Sequence, residues 1–166
     1  SVSPTLDLPI TDYDELMKYK WVASKNKNTW YASRTKWRRG GKGKYDKIRM
    51  HRFVMNAKSG EIIDHRDRNG LNNQKSNLRI CTQKQNRQNC TSSKSSKSKY
   101  LGVYPFISRW HLKNGMLREK LKWVAEIASD GRRYFLGSFQ KEEDAARAYN
   151  TKAKELFGDF ANLNNV

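Results

Sequence analysis

The sequence predicts an α+β protein made of two small modules in series, and three features carry that prediction. Residues 91–99, TSSKSSKSK, contain only Ser, Thr and Lys and offer nothing to bury, so they divide the chain as a flexible, basic linker. Ahead of them a short apolar strand, EIIDH, runs into a loop dense in Gly and Asn and then into residues at helical spacing. Behind them three strand-like segments precede one amphipathic helix, the pattern of a small three-stranded antiparallel sheet packed on a helix. At about 100–150 residues per ordinary domain, a chain of 166 allows one domain or two small ones. The expected division is a tail over 1–14, a first module over 15–90, the linker over 91–99 and a second module over 100–166.

Taken in order, TDYDELMKYKW offers Thr11 as a helix cap with acidic residues in the first turn. Strand-like WVAS and TWYASRT follow around a polar turn, KNKN. RRGGKGK, residues 38–44, is a basic loop with three glycines. KIRMHRFVM sets Ile48, Phe53 and Val54 among basic residues and fits a short helix or a strand equally. EIIDH is a strand ending on two polar residues, RDRNGLNNQKSN a long turn, and NLRICTQKQNRQN a helix with Asn86 on its second turn or beyond. In the second half YLGVY, KWVAEIAS and RRYFLGSF are strands, the last two joined by a tight turn at Asp130 and Gly131. KEEDAARAYNTKAKELFG is a helix whose Glu142, Glu143 and Asp144 suit its positive N-terminal end and whose Gly158 stops it. Ala145, Ala148, Tyr149, Ala153 and Leu156 fall on one face, small enough to approach a sheet closely.

Charge narrows the class of partner. There are 34 Lys and Arg against 16 Asp and Glu, and a formal charge of +18 opposes compaction unless a polyanion shares the surface. The surplus is concentrated: residues 16–60 hold nine lysines and five arginines against the single Asp46, whereas from Tyr100 onward 11 basic residues face 8 acidic ones. A phosphate-tracking surface is therefore expected on the first half, with Arg38, Arg39, Lys42, Lys44, Arg49 and Arg52 as its contacts. Double-stranded DNA is the expected partner. An RNA partner would rest on charge alone, since no aromatic RNP pattern is present. No apolar run approaches the ~20 residues of a membrane span, and SVSPTLDLPI lacks a secretory layout, so the expectation is a cytoplasmic protein in a bacterial or phage-infected cell. Cys81 and Cys90 fit neither zinc-ligand spacing nor a disulfide framework and read as reduced thiols.

Among His51, His65 and His111, His65 is the best-placed general base, because it follows Asp64 directly at the end of a strand. An imidazole titrating near neutrality takes a proton from water, and a neighbouring carboxylate holds a hard cation against a phosphate oxygen. Successive strand residues point to opposite sides, so the pair serves one site only where the backbone turns. Alone, the dipeptide is weak evidence.

The wider stretch reads HRFVMNAKSGEIIDHRDRNGLNNQKSNLRICTQKQNRQN, with Asp64 and Asn86 22 apart and His65 and Asn77 12 apart. It resembles the HNH homing-endonuclease family over about forty residues in order. The resemblance implies a ββα-metal nuclease module in which His65 is the general base, Asn77 braces the loop between strand and helix, and Asp64 and Asn86 hold one divalent metal. Mg²⁺ is the expected ion, with Mn²⁺ as an alternative; Asn86 stands where other members have His, and an amide oxygen serves a hard cation as a carboxylate does. Asn89 is the rival ligand, less favoured by its spacing to Asp64. His51 and Arg52 fit the pattern too, but packing or phosphate contact explains them better than chemistry. Asp67 reads as a solvated loop carboxylate.

From Lys99 onward, SKYLGVY, KWVAEI, DGRRYFLGSF, EEDAARAYNTKAKELFG and ANLN resemble the plant ethylene-response-factor DNA-binding domain of the Apetala-two type, which lays a three-stranded sheet in the major groove. Leu101 and Tyr104 stand where the plant domains have Arg, and the expected turn over 105–121 is longer than theirs. The resemblance implies DNA contacts at Trp123 and Glu126; Arg109, Lys122, Arg132 and Arg133 join them as candidates, Trp123 being the one best explained as core. The resulting expectation is a metal-dependent, site-directed, strand-nicking DNA endonuclease acting as a monomer. Its alternative is a DNA-binding regulator with a decayed nuclease module.

Overall fold

The computed structural model describes residues 10–27, 29–38, 45–89 and 96–166. The chain forms two compact units, the first ending at Asn86 and the second beginning at Arg87. Both are mixed α and β with small antiparallel sheets, as the α+β prediction requires.

The first unit opens with helix α1, Ile10–Met17, which starts one residue ahead of the expected cap at Thr11. Strands β1 (Val22–Asn26), β2 (Thr29–Trp37) and β3 (Tyr45–Arg49) then make an antiparallel sheet in sequence order. The ambiguous KIRMHRFVM is both things at once: β3 ends at Arg49 and α2, Met50–Val54, begins at the next residue. Strand β4, Ile62–His65, pairs antiparallel with β5, Leu78–Cys81, as a separate two-stranded ribbon. This corrects the expected helix over NLRICTQKQNRQN. Leu78–Cys81 is strand, because LRIC pairs residue for residue with IIDH, and only α3, Gln83–Gln88, is helical. The hydrophobic centre is Leu16, Val54 and Leu78, with Trp21, Phe53 and Ile63 packed around it, so α1, α2 and the ribbon share one core.

The second unit is a sheet of β6 (Val103–His111), β7 (Leu117–Ser129) and β8 (Arg132–Phe139), antiparallel in sequence order, with α4, Glu142–Phe157, packed on one face. The segment expected as a long turn over 105–121 is mostly strand: β6 and β7 pair without a break from Val103 with Ala125 to His111 with Leu117. The turn joining β7 to β8 is the expected Asp130-Gly131 pair, with φ of 52° and 74°, the left-handed backbone of a type I′ hairpin. Ala145, Ala146 and Ala153 are fully buried, and Val103, Ala125 and Ile127 meet them from the sheet. Asn164 clasps the end of the second unit to the segment leading into β6, accepting from the Leu101 N–H at 2.6 Å and donating to the Leu101 carbonyl at 3.1 Å. The linker expectation needs revision at its far end, since Ser98 is buried and donates to Glu142 at 2.6 Å. Residues 96–99 belong to this unit; 91–95 lie outside the described residues.

Gly102 sits at φ 70° under the Tyr149 ring, where a Cβ would collide with that ring and stand 2.6 Å from the Glu126 carbonyl oxygen. Gly102→Ala is therefore expected to lower stability by roughly 2–4 kcal/mol, from overpacking and a left-handed backbone together. Urea unfolding followed by tryptophan fluorescence measures it, and a change within about 0.5 kcal/mol would contradict the packing described.

Candidate active site

The ribbon β4–β5 sets the site, because its register determines which side chains face which way. Ile62 is opposite Cys81, Asp64 opposite Arg79 and His65 opposite Leu78. Directly opposed residues of an antiparallel pair project to one face, and neighbours along a strand to opposite faces. Asp64 therefore shares a face with Arg79, and His65 shares the other with Leu78. The separation raised for this pair at the sequence level is real, with His65 as the last residue of the strand.

On the His65 side three rings meet. His65 lies 5.0 Å from His51 of α2 and 5.9 Å from Tyr31 of β2, centroid to centroid, and Tyr31 and His51 are 5.4 Å apart. Both histidines are buried. Burial lowers the His65 pKa below its ordinary value, against the opposing pull of a hydrogen bond with Asn73 and the charges of Asp67 and Asp64. The imidazole is thus held in its neutral, proton-accepting form at neutral pH. His51 is pushed down to about 3, first by burial, then by His65 and the cations of Arg49 and Arg52, so it stays uncharged beside its neighbour.

The loop that follows is tied down by its asparagines. The Asn77 carbonyl accepts from the Arg66 N–H at 2.9 Å, which extends the ribbon one residue beyond His65. The Asn77 side chain accepts from the Asp67 N–H at 3.1 Å and donates to the Asp67 carboxylate and the Asn72 carbonyl, each at 2.9 Å. Asp67 also accepts from the Asn69 N–H at 2.9 Å and from the Asn72 amide at 2.6 Å. Burial raises the Asp67 pKa, but these hydrogen bonds outweigh it and the net shift is downward. An Asx-rich loop thus replaces regular secondary structure as the source of rigidity.

On the Asp64 side the carboxylate is buried and accepts from Arg79 Nε at 2.8 Å and Nη2 at 2.6 Å. Asn86 stands half-buried on α3, and Asn89 is buried just beyond that helix. Among the described residues no three His, Cys, Asp or Glu are grouped for a metal. The donor set of Asp64 and Asn86 is one carboxylate and one amide, oxygen ligands of the kind a hard, water-rich divalent cation takes, and the carboxylate is already paired with Arg79. Cys81, a buried free thiol raised by burial, takes no part in that chemistry; Cys90 lies outside the described residues.

The expected DNA contacts are placed variously. Arg38 is exposed and paired with Asp46, while Arg39, Lys42 and Lys44 lie outside the described residues. Arg49 stacks its guanidinium on Tyr31 at 5.1 Å. Arg52 donates to the carbonyls of Glu61 at 2.5 Å and Lys58 at 2.6 Å, locking the turn between α2 and β4. In the second unit the register puts Lys122, Glu126 and Arg133 on the sheet face away from α4. Trp123 packs on the helix side against Ala125 and its buried cluster, so its ring is core, the alternative weighed for it. Arg109 pairs across the ladder with Glu119 at 2.6 Å, and Arg132 opens β8.

Sequence reasoning missed Arg79, Tyr31 and Asn73. Pairing IIDH antiparallel with LRIC would have exposed Arg79, since it sets a lone arginine opposite the aspartate. Nothing in the sequence singles out Tyr31 or Asn73.

Comparison with known proteins supplies an independent reading of the same residues. A family model described as HNH endonuclease matches residues 50–88. The chain is 35% identical over 146 residues to an uncharacterized HNH endonuclease of Acanthamoeba polyphaga mimivirus, covering 81% of this chain and 70% of that protein. It is 31% identical over 122 residues to Protein 3.8 of Escherichia phage T7, covering 70% of this chain and 91% of that one. No solved structure matches the chain.

Two outcomes follow from the buried groups. Arg79→Ala removes the guanidinium that pairs with the buried Asp64 carboxylate, and is expected to cost about 3–5 kcal/mol of folding stability in denaturant titrations. His51 is neutral in the folded chain down to about pH 3 but titrates near 6.5 when unfolded. Its stabilising effect is therefore full above the unfolded value and is lost progressively as pH falls from about 6.5 toward 3. Relative to His51→Phe, the native chain should lose about 2 kcal/mol between roughly pH 6.5 and pH 5. Parallel pH profiles for the two proteins would refute the assignment.

Proposed function

The chain belongs to the HNH endonuclease family and is a DNA endonuclease, and from that premise we propose that it is a divalent-metal-dependent nicking enzyme of the homing type, with His65 as its general base. The observation that carries the reading is the placement of His65: a neutral, buried imidazole at the end of β4, braced through its loop by Asn77. His65 takes a proton from water, and the water oxygen forms a bond to the scissile phosphorus while the bond to the 3′ oxygen breaks. Asn77 holds the loop so that the imidazole keeps its direction through the step. Asp64 and Asn86 are the residues that would hold the divalent cation, Mg²⁺ by preference or Mn²⁺. When bound, such an ion supplies charge stabilisation to the phosphoryl and leaving oxygens.

The ββα-metal module corresponds, on this reading, to β4, β5 and α3, which follow one another in that order. The second unit serves as a DNA-binding domain similar to the Apetala-two type, supported by its three strands, its single packed helix and the Lys122 and Arg133 cations on its open face. The chain carries a single copy of the Asp64, His65 and Asn86 set, so on this reading a single molecule nicks one strand at a time.

Supercoiled plasmid carrying a cleavable site, incubated with the full chain and Mg²⁺, should accumulate open circle before linear DNA. His65→Ala should abolish nicking, a loss of about 10²-fold or more, while DNA affinity measured with chelator present stays within about twofold, because a general base lowers the barrier without neutralising phosphate. Linear product with no open-circle stage at limiting enzyme would overturn the nicking assignment, and a His65→Ala protein that still nicks would overturn the base.

A further inference from the structure

A second feature of the first unit lies outside the reacting residues. Between β3, α2 and the loop before β5 runs a cleft whose lining includes Lys47, Arg49, Arg52 and Lys75 and contains no acidic residue. Its floor is apolar, with Phe53 and Val54 among the lining. The nearest carboxylate along the chain on the α2 side, Glu61, is turned to the backbone, accepting from the Lys58 N–H at 2.7 Å. Asp46, beside Lys47, is held by Arg38.

The cations have separate tasks. Arg52 is committed to backbone carbonyls and anchors the wall. Arg49 lies over the Tyr31 ring, and Tyr31 in turn lies 5.9 Å from His65, so the cleft reaches the site through one intervening side chain. Lys75 is exposed and stands between Asn73, which bonds to His65, and Asn77, which braces its loop. Lys47 is exposed on the opposite wall. Four positive charges line one concavity that has no acidic residue in its lining, which raises the local potential for an anion, and long lysine side chains adapt to one whose position is set elsewhere.

Resting on the nuclease reading above, we infer that this cleft is a subsite for a non-scissile phosphodiester of the strand being cut, held by Lys47 and Lys75 beside Arg49. It sets the register of the backbone so that the neighbouring phosphate lies at His65. Its ligand is a backbone phosphate, so the contact is blind to base sequence.

The test uses the full chain with both lysines neutralised, Lys47→Gln with Lys75→Gln; both are exposed, so the fold is not at issue. DNA affinity is measured with chelator present across a salt series. Loss of two phosphate contacts predicts a log–log salt slope shallower by about 1.8, so that between roughly 50 and 200 mM salt the native chain loses about tenfold more affinity than the variant. Substrates in which single phosphates near the cut are replaced by neutral methylphosphonates locate the contact. One or two positions should weaken binding by the native chain and leave the variant indifferent. An unchanged salt slope, or the same methylphosphonate pattern in both proteins, overturns the subsite. A native chain that shows the predicted slope and pattern but never nicks with Mg²⁺ would retain the phosphate contact and overturn the nuclease reading instead, so the two fail separately.

Discussion

The ion pair between Asp64 and Arg79 is the contact on which the first unit's geometry depends. Both side chains are buried, and two ions taken out of water are tolerated only when geometry and hydrogen bonding are good. That requirement holds β4 and β5 in one register. A slip of β5 by one residue would turn its side chains to the other face, carrying Leu78 out of the apolar core and Arg79 away from Asp64. The short strands have few hydrogen bonds to resist such a slip by themselves. A charge that pairs in one alignment only supplies what four-residue strands lack.

With that register in place the division of labour follows. One face of the ribbon carries the carboxylate and its arginine; the other sends Leu78 to the core and His65 to the rings of His51 and Tyr31. Asp64 and His65 lie on opposite faces of the two-stranded ribbon, and the pull of the Asp64 charge on His65 is outweighed by burial. The imidazole is left neutral by burial while the carboxylate keeps a cationic partner. A neutral His51 completes the arrangement, because a second charged imidazole 5.0 Å away would oppose any proton transfer to the first.

The two units manage charge in different ways. In the second, exposed basic residues alternate with pairs such as Arg109 with Glu119 and Arg147 with Asp144, and each such surface pair contributes little to stability. Its fold rests on alanines pressed against a sheet. In the first, cations are layered onto rings, with Arg34 3.7 Å from the Tyr19 ring centre and Arg49 over Tyr31. Aromatic faces let guanidinium groups crowd a small unit without acidic partners, which leaves their positive field available to a polyanion.

Much of this was legible from residue order. Alternation and turn chemistry are local properties, so β4, the β7–β8 turn at Asp130 and Gly131, α4 and its alanine face could all be read directly, and the spacing of Asp64, His65, Asn77 and Asn86 carried the family. What local pattern could not carry was pairing. LRIC reads as helix until it is set against IIDH, because Leu78 and Cys81 suit either period, and the strand wins only through a partner some fifteen residues away, Arg79 opposite Asp64. The outer part of the β6–β7 ladder was hidden for the same reason: residues 106–111 and 117–121 are exposed at every position but Ser108, so no apolar alternation marks it. The ring of Tyr31 beside His65 and the basic cleft of Lys47 and Lys75 join residues from distant elements. Sequence alone determined the endonuclease family and the stretch, residues 50–88, that carries it. Only the tertiary structure determined what faces what, because burial and strand register are properties of pairs of segments and not of either one.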